Sequence, residues 1–360
     1  MAMTQPAGKS NEERLKALNE EIRNLDLQAH WWGFGESRYQ KPQVWRWADI
    51  RRCLMEAGEV MPVGTDFFTD RRSILLNTQS ATLSLAFQLL VPGERAQAHR
   101  HNFSAIRFVV EGNGAYSTAD GEKMSMEPGD LLTQPNWAWH DHHNPSDGPC
   151  IWLDGLEAKM SRILQASFHE TWPEGVSQPI AKADGHCRQV YGPLRQPGAL
   201  NRGIHPPGFS YKWQDTLDTL RELAGEGQVD PYDGVLLEYT NPLNGGHTFP
   251  IMTCAIQMLR PGEKTRRHRH TGSTLHHVVR GSGVTTVDEA VTPPPGVDPQ
   301  EPVLCAPAAT LDWREKDCFI VPSWRWHWHR NDSTTEPAIV FSMSDRPLME
   351  AAGLYREEGE

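Results

Sequence analysis

Gly93-Glu94-Arg95-Ala96-Gln97-Ala98-His99-Arg100-His101 sets two histidines two residues apart. On a β-strand the side-chain period of two turns both imidazoles to one face, where they can aim at a common point. Further on, Pro135-Asn136-Trp137-Ala138-Trp139-His140-Asp141-His142-His143-Asn144 reads as a second strand, with His140 as a third ligand. Three neutral imidazoles suit iron, zinc, copper or nickel better than calcium or magnesium. A site with only three protein ligands keeps positions open for substrate.

Two histidines at i,i+2 on a strand also arise by chance, so a repeat carries weight here. Gly262, His268, His270 and Gly281 follow Gly93, His99, His101 and Gly112 at a constant offset of 169 residues. Pro322, Trp324, His327 and Asn331 follow Pro135, Trp137, His140 and Asn144 at an offset of 187, so the later copy carries an insertion of 18 residues. Long-period self-similarity of this kind marks a duplicated domain. His268, His270 and His327 are thereby candidates for a second metal.

The pattern Gly-x5-His-x-His with a later Gly, then Gly129-x5-Pro-x4-His-x3-Asn, resembles the two motifs of the cupin superfamily, and its presence twice resembles a bicupin. Trp45-Arg46-Trp47, Arg71-Arg72, Gln88, His99-Arg100-His101, Arg107, Trp139-His140-Asp141-His142 and Ile151-Trp152-Leu153-Asp154-Gly155-Leu156 resemble the gentisate 1,2-dioxygenase family, which includes salicylate and 1-hydroxy-2-naphthoate dioxygenases. The resemblance runs from about residue 20 to Leu354-Tyr355-Arg356. It implies an all-β bicupin of two antiparallel jelly-roll barrels with N-terminal and connecting helices. Residues 1–65 are expected to form an N-terminal helical and interface segment, 66–180 the catalytic barrel, 181–233 a connection and 234–360 the second barrel.

Composition fits that frame. A chain of 360 residues can bury a large core and usually divides into two domains. Lys plus Arg total 35 against 46 Asp plus Glu, a formal charge of -11, and no long basic tract argues for a nucleic-acid partner. No stretch of eighteen apolar residues suggests a membrane span, and the polar start does not read as a secretory signal. Six cysteines without paired spacing read as reduced residues of a cytoplasmic protein.

Along the chain, Ser10 with Glu13 reads as a capping box for a helix whose stripe is Leu15, Leu18, Ile22 and Leu25. A second helix is expected from near Asp49 to Gly58, with Ile50, Cys53 and Leu54 inward. Trp31, Trp32, Trp45 and Trp47 read as packing or interface anchors. From 74 to 154 short apolar runs alternate with turns at Asn113-Gly114, Asp120-Gly121 and Pro128-Gly129-Asp130. The segment 156–235 reads as a connection with a helix from Asp215 to Ala224. The insertion with its three prolines at 293–295 reads as a loop, because proline removes ladder donors.

Counting by twos from His99 along one continuous strand reaches Arg107, which would place a guanidinium beside the metal. A buried arginine needs a partner: an internal structural ion pair is one alternative, and a bidentate clamp on a substrate carboxylate better explains a charge beside an open metal site. His142 shares the parity of His140. The eighth position of the second copy is His276, so the carboxylate clamp is not duplicated, while His329 repeats His142. Neither pair of histidines is followed by the glutamate that many metal-binding cupins carry.

The resemblance implies one Fe(II) per subunit at His99, His101 and His140, with His142, Arg107 and Asp154 catalytic. It also implies substrate contacts from Arg107, Gln88, Arg71, Arg72 and His142. Gentisate would be opened by oxygen between its carboxyl-bearing and adjacent hydroxyl-bearing carbons to maleylpyruvate. Salicylate, substituted salicylates and 1-hydroxy-2-naphthoate are alternative substrates, and a zinc-dependent cupin enzyme or a noncatalytic small-molecule-binding bicupin is an alternative class. The family further implies a homo-oligomer, a homotetramer.

Overall fold

The computed structural model describes residues 10–29, 40–61, 72–192, 206–288 and 308–360. Trp31, Trp32, Arg71, Cys305 and the proline-rich loop lie outside these residues. Within them the strands form four antiparallel sheets. In the first half a seven-stranded sheet runs Leu27–Ala29, Ser73–Leu76, Ser84–Leu90, Cys150–Leu156, Ala105–Glu111, Leu131–Gln134, Phe209–Tyr211. A five-stranded sheet of His169–Thr171, Arg95–His101, His140–His143, Ala115–Ala119 and Glu122–Met126 faces it. The second half pairs a six-stranded sheet, Val235–Tyr239, Thr253–Leu259, Ala338–Ser344, Thr274–Arg280, Cys318–Val321, Gln43–Trp45, with a five-stranded one, Ala309–Arg314, Ser282–Val287, His327–Asn331, His268–His270, Glu357–Gly359.

This corrects the expected all-β class with two jelly-roll barrels. The fold is mixed α/β, with helices against open sheets, and no sheet closes into a barrel. Closure requires a ladder from the last strand back to the first. Here each of the four sheets has at least one margin strand of only three residues, and among the described residues no ladder joins one margin to the other. The alternation of apolar residues reports which face of a strand is buried and carries no information on closure.

Facing sheets bury apolar side chains between them. Leu90, Val109 and Trp152 meet Ala115, Met124 and Met126 in the first half; Leu259, Val278 and Phe319 meet Val287, Leu311 and Trp313 in the second. The opposite faces of the two large sheets share one further core with the long helices. Phe108 stacks on Phe341 across it, with centroids 4.5 Å apart. A Cβ at Gly155 would overlap the Met343 sulfur and the Ile106 side chain, so only glycine permits this approach.

The helix Asn11–Asn24 starts on the capping box of Ser10 and Glu13 and buries Leu18 and Ile22. Helix Trp47–Val60 buries Ile50, Cys53, Leu54 and Ala57 and has no side-chain cap of its own. Its Trp47 N–H donates instead to the Asp317 carboxylate at 2.9 Å, and Arg46 pairs with the same group at 2.7 Å. The helix Trp213–Glu226 repeats the device: Trp213 N–H donates to Asp130 at 2.9 Å and Lys212 pairs with it at 2.5 Å. That helix runs beyond its expected end because Gly227, at φ 74°, is the left-handed cap that Gly225 was expected to be. Five cysteines are free and buried, and among the described residues no helix is long and apolar enough to cross a membrane.

Glu157 is buried just past the end of the strand Cys150–Leu156; one oxygen accepts from Ser104 N–H at 3.1 Å and the other has no hydrogen-bond partner. Burial pushes its carboxyl from the ordinary 4.5 up to about 7. The folded state then holds a proton that the unfolded chain has released, so this group's contribution to stability falls as pH rises from about 4.5 through about 7. Glu157→Gln is expected to raise stability at pH 8 by roughly 1–3 kcal/mol and to leave it little changed at pH 4.5. Urea denaturation midpoints at the two pH values check this.

Candidate metal centre

His99 stands directly opposite His140 on adjacent antiparallel strands. The ligand nitrogens of His99, His101 and His140 lie within 4.8 Å of one another, and all three residues are buried. Each Nδ1 sits on a backbone carbonyl: that of Gln97 at 2.7 Å, Phe103 at 2.6 Å and Ala138 at 2.9 Å. With Nδ1–H donating, each Nε2 keeps its lone pair for a metal. His140 Nε2 is buried with no hydrogen-bond partner. Burial, followed by the neighbouring His99 and His101 and then Arg107, holds the His140 ring well below its usual 6.5. A neutral ring is the ligating form, so the donor set fits a transition metal.

Local backbone aims the third ligand. Trp137 lies in the left-handed region at φ 61°, and its N–H donates to the His101 carbonyl at 2.7 Å. A non-glycine residue there is strained, and such strain persists where surrounding contacts hold it. Arg100 lies over Trp137 at 4.2 Å and Trp139 at 4.5 Å and pairs with Glu170 at 2.6 Å. The ring of Phe103 stacks on His101 with centroids 3.9 Å apart.

The premise of one strand from His99 to Arg107 is not met, since the chain leaves one sheet after His101 and enters the facing sheet at Ala105. Arg107 nonetheless shares the inward face of Val109. It stands opposite Asp154, with Nε 3.7 Å from Oδ1, and both side chains are buried. Trp152 Nε1 donates to the same Oδ1 at 2.9 Å and lies opposite Gln88, which is also buried. The His142 ring is 4.9 Å from that of Trp152 and 6.1 Å from that of His140. Gln88, Arg107, His142 and Asp154 thus share the interior with the triad. Buried Arg72 pairs with Glu94, whose other oxygen accepts from Val91 N–H at 2.7 Å. Sequence reasoning assigned Trp152 no role; its signal was its place two residues before Asp154, on the same face of the strand.

The second triad repeats this geometry in part: His268 Nδ1 is buried without a hydrogen-bond partner, and His268 Nε2 shares a hydrogen bond with His327 Nε2 at 2.6 Å. Ligand nitrogens of His268, His270 and His327 again lie within 4.8 Å. Centroids of His268 and His327 are 4.2 Å apart, as are those of His99 and His140. His327 Nδ1 sits on the Arg325 carbonyl at 2.9 Å, and Trp324 has φ 58° with its N–H on the His270 carbonyl. The two halves therefore carry two potential metal sites, one each.

These features define a cupin-type metal protein, and the cupin-domain family model matches residues 86–155. Over 361 residues the chain is 33% identical to the 5-aminosalicylate 1,2-dioxygenase of Comamonas sp., covering 96% of this chain and 90% of that one. It is also 33% identical to a gentisate 1,2 dioxygenase of Aquipseudomonas alcaligenes, over 88% of this chain and 86% of the relative. The solved salicylate 1,2-dioxygenase of Pseudoaminobacter salicylatoxidans with gentisate adducts superposes with a TM-score of 0.77 at 29% identity, covering 99% of this chain and 96% of that one. The chain belongs to the bicupin ring-cleaving dioxygenases related to the gentisate, salicylate and hydroxynaphthoate 1,2-dioxygenases.

Asp154→Ala would remove the buried carboxylate that faces the Arg107 guanidinium and accepts from Trp152 Nε1. It is expected to destabilise the protein by roughly 3–5 kcal/mol. Calorimetry of the variant and the parent measures the loss.

Proposed function

We propose that the first centre holds ferrous iron and that the protein opens the ring of salicylate or a ring-substituted salicylate with molecular oxygen. The cleaved bond would join the carboxyl-bearing and hydroxyl-bearing carbons. The observation that carries this reading is the buried Arg107–Asp154 pair sharing one interior with the three-histidine set. Iron, when bound, supplies the redox chemistry that couples ring and oxygen and that zinc lacks.

The chain's own residues would bind and orient the substrate. Arg107 takes the substrate carboxylate in a charge-assisted bond, while Asp154, held by Trp152, fixes the guanidinium. His142, beside Trp152, exchanges the proton of the ring hydroxyl. The apolar faces of Trp152 and Phe103 limit water in the interior. The relatives named above act on or bind acids that differ in the ring substituent and share an adjacent hydroxyl and carboxyl. That shared pair is what this site recognises, so a second ring hydroxyl, as in gentisate, is not required.

Steady-state assays with salicylate, 5-aminosalicylate, gentisate and 1-hydroxy-2-naphthoate, run with and without oxygen on iron-loaded protein, test the proposal. A salicylate is expected to have the highest kcat/KM, with one oxygen consumed per ring opened. Gentisate turning over about tenfold better than every salicylate would overturn the substrate choice, and turnover without oxygen would overturn the reaction. Arg107→Ala should lower kcat/KM by about 10- to 100-fold, matching the loss of one charge-assisted bond of about 1.5–3 kcal/mol. Iron content should be unchanged.

A further inference from the structure

The second triad opens on a cavity of about 100 Å³ whose lining differs in charge from the interior of the first half. Where the first half has Arg107 opposite Asp154, the second has His276 opposite Ser342. Gln257 takes the place of Gln88. The His276 ring is buried with neither nitrogen hydrogen-bonded, and the Gln257 side-chain nitrogen is likewise buried without a partner. Both line this cavity. Buried polar groups left in this state point to something that bonds them.

The acids are the second difference. Asp233, Glu238 and Glu357 line the cavity, and Arg346, the only cation among the described lining residues other than histidine, is paired with Glu350 at 2.7 Å. Glu357 belongs to the strand Glu357–Gly359, which pairs with His268–His270 and sets Glu357 directly opposite His270. The edge strand of the first half puts His169 opposite His101 at the matching place. Tyr355 Oη donates to the Glu357 carboxylate at 2.9 Å, holding it at the cavity mouth.

We infer that His268, His270 and His327 hold a second divalent metal, with Glu357 of the chain's own C-terminal strand supplying the negative charge that the first centre leaves to its substrate. Three neutral imidazoles leave a divalent ion uncompensated, and an acid-lined cavity compensates it without an organic anion. Water on the open positions of the ion would bond His276 and Gln257. Glu238 and Glu357 repel an aromatic carboxylate, so this centre does not open rings. It fastens strand Glu357–Gly359 to the ligand strand, since each metal-bound histidine on residues 268–270 fixes one side of that ladder. The inference does not depend on which substrate the first centre takes.

The test counts metal on the full chain, loaded anaerobically with ferrous iron or separately with zinc and then desalted. The parent protein is expected to retain two ions, and His99→Ala and His327→Ala about one each. Glu357→Gln should weaken the second ion at least about tenfold, the scale on which even outer-sphere partners of a metal act. Amide exchange at residues 357–359 should be faster in His327→Ala and Glu357→Gln than in the parent. If His327→Ala does not fold, His327→Gln serves in its place. One ion in the parent, lost in His99→Ala and kept in His327→Ala, would overturn the second site. Unchanged affinity in Glu357→Gln would overturn its assignment to Glu357, and unchanged exchange would overturn the fastening. Loss of activity in His99→Ala with the second ion retained would leave this inference standing and bear only on the first centre.

Discussion

Convergence of three neutral imidazoles on one point is the constraint from which much of this architecture follows. Two can come from one strand at i,i+2, but the third must come from a neighbouring antiparallel strand in a register that sets His99 opposite His140. A shift of one residue would turn His140 to the other face. Register is held from both ends: the left-handed Trp137 turn is tied to the His101 carbonyl, and Asn144 donates to the Leu90 and Gly148 carbonyls just beyond the strand. Backbone carbonyls then choose the tautomer, so that strand geometry, and not a set of acidic partners, directs all three lone pairs inward.

What the duplication kept and what it changed separate along this line. The second half keeps the register of His268 with His327, the strained Trp324, and the asparagine, Asn331, bonded to the Leu259 and Glu336 carbonyls. It also keeps the outer clamp, with Arg269 over Trp324 and Trp326 and paired to Glu358 as Arg100 is over Trp137 and Trp139 and paired to Glu170. Every one of these features serves to place imidazoles. The differences fall on the facing sheet, where Arg107 and Asp154 give way to His276 and Ser342, and on the edge strand beside the cage, where Glu357 stands opposite His270 as His169 stands opposite His101. One sheet of each half thus builds the metal cage, and the opposite sheet together with that edge strand sets the charge that a ligand meets.

That division explains what could be read from residues alone. The cage is local, made of i,i+2 histidines and turn residues at short spacing, so both triads and the capping box at Ser10 were legible. The inward face of Arg107 was reached through an incorrect premise: the chain crosses between sheets at Asn102–Ser104, and parity happens to survive the crossing. Sheet closure was not legible, because alternation is blind to what lies beyond an edge strand. Arg72 illustrates a further limit. Its partner Glu94 lies just before the strand Arg95–His101, and nothing local distinguishes a guanidinium that ties the fold together from one that meets a substrate.

The edges least visible in the sequence are the ones that join the halves. Strand Gln43–Trp45, from the start of the chain, completes the large sheet of the second half, while Phe209–Tyr211, from the connection, completes that of the first. Each leads directly into a helix whose first N–H is capped by an aspartate of the sheet it has joined, Asp317 for one and Asp130 for the other. An uncapped, buried helix start would leave donors unpaired, and an uncovered sheet edge would invite pairing with another chain. The early segment meets both needs for the later half, so the second half is incomplete without residues that precede the first. The shared core around Phe108 and Phe341 then follows as packing between sheets already tied by the chain. Rigid outer faces leave the inner faces, where Arg107 meets Asp154 opposite the imidazoles, as the surfaces on which substitution can change chemistry without moving the ligands.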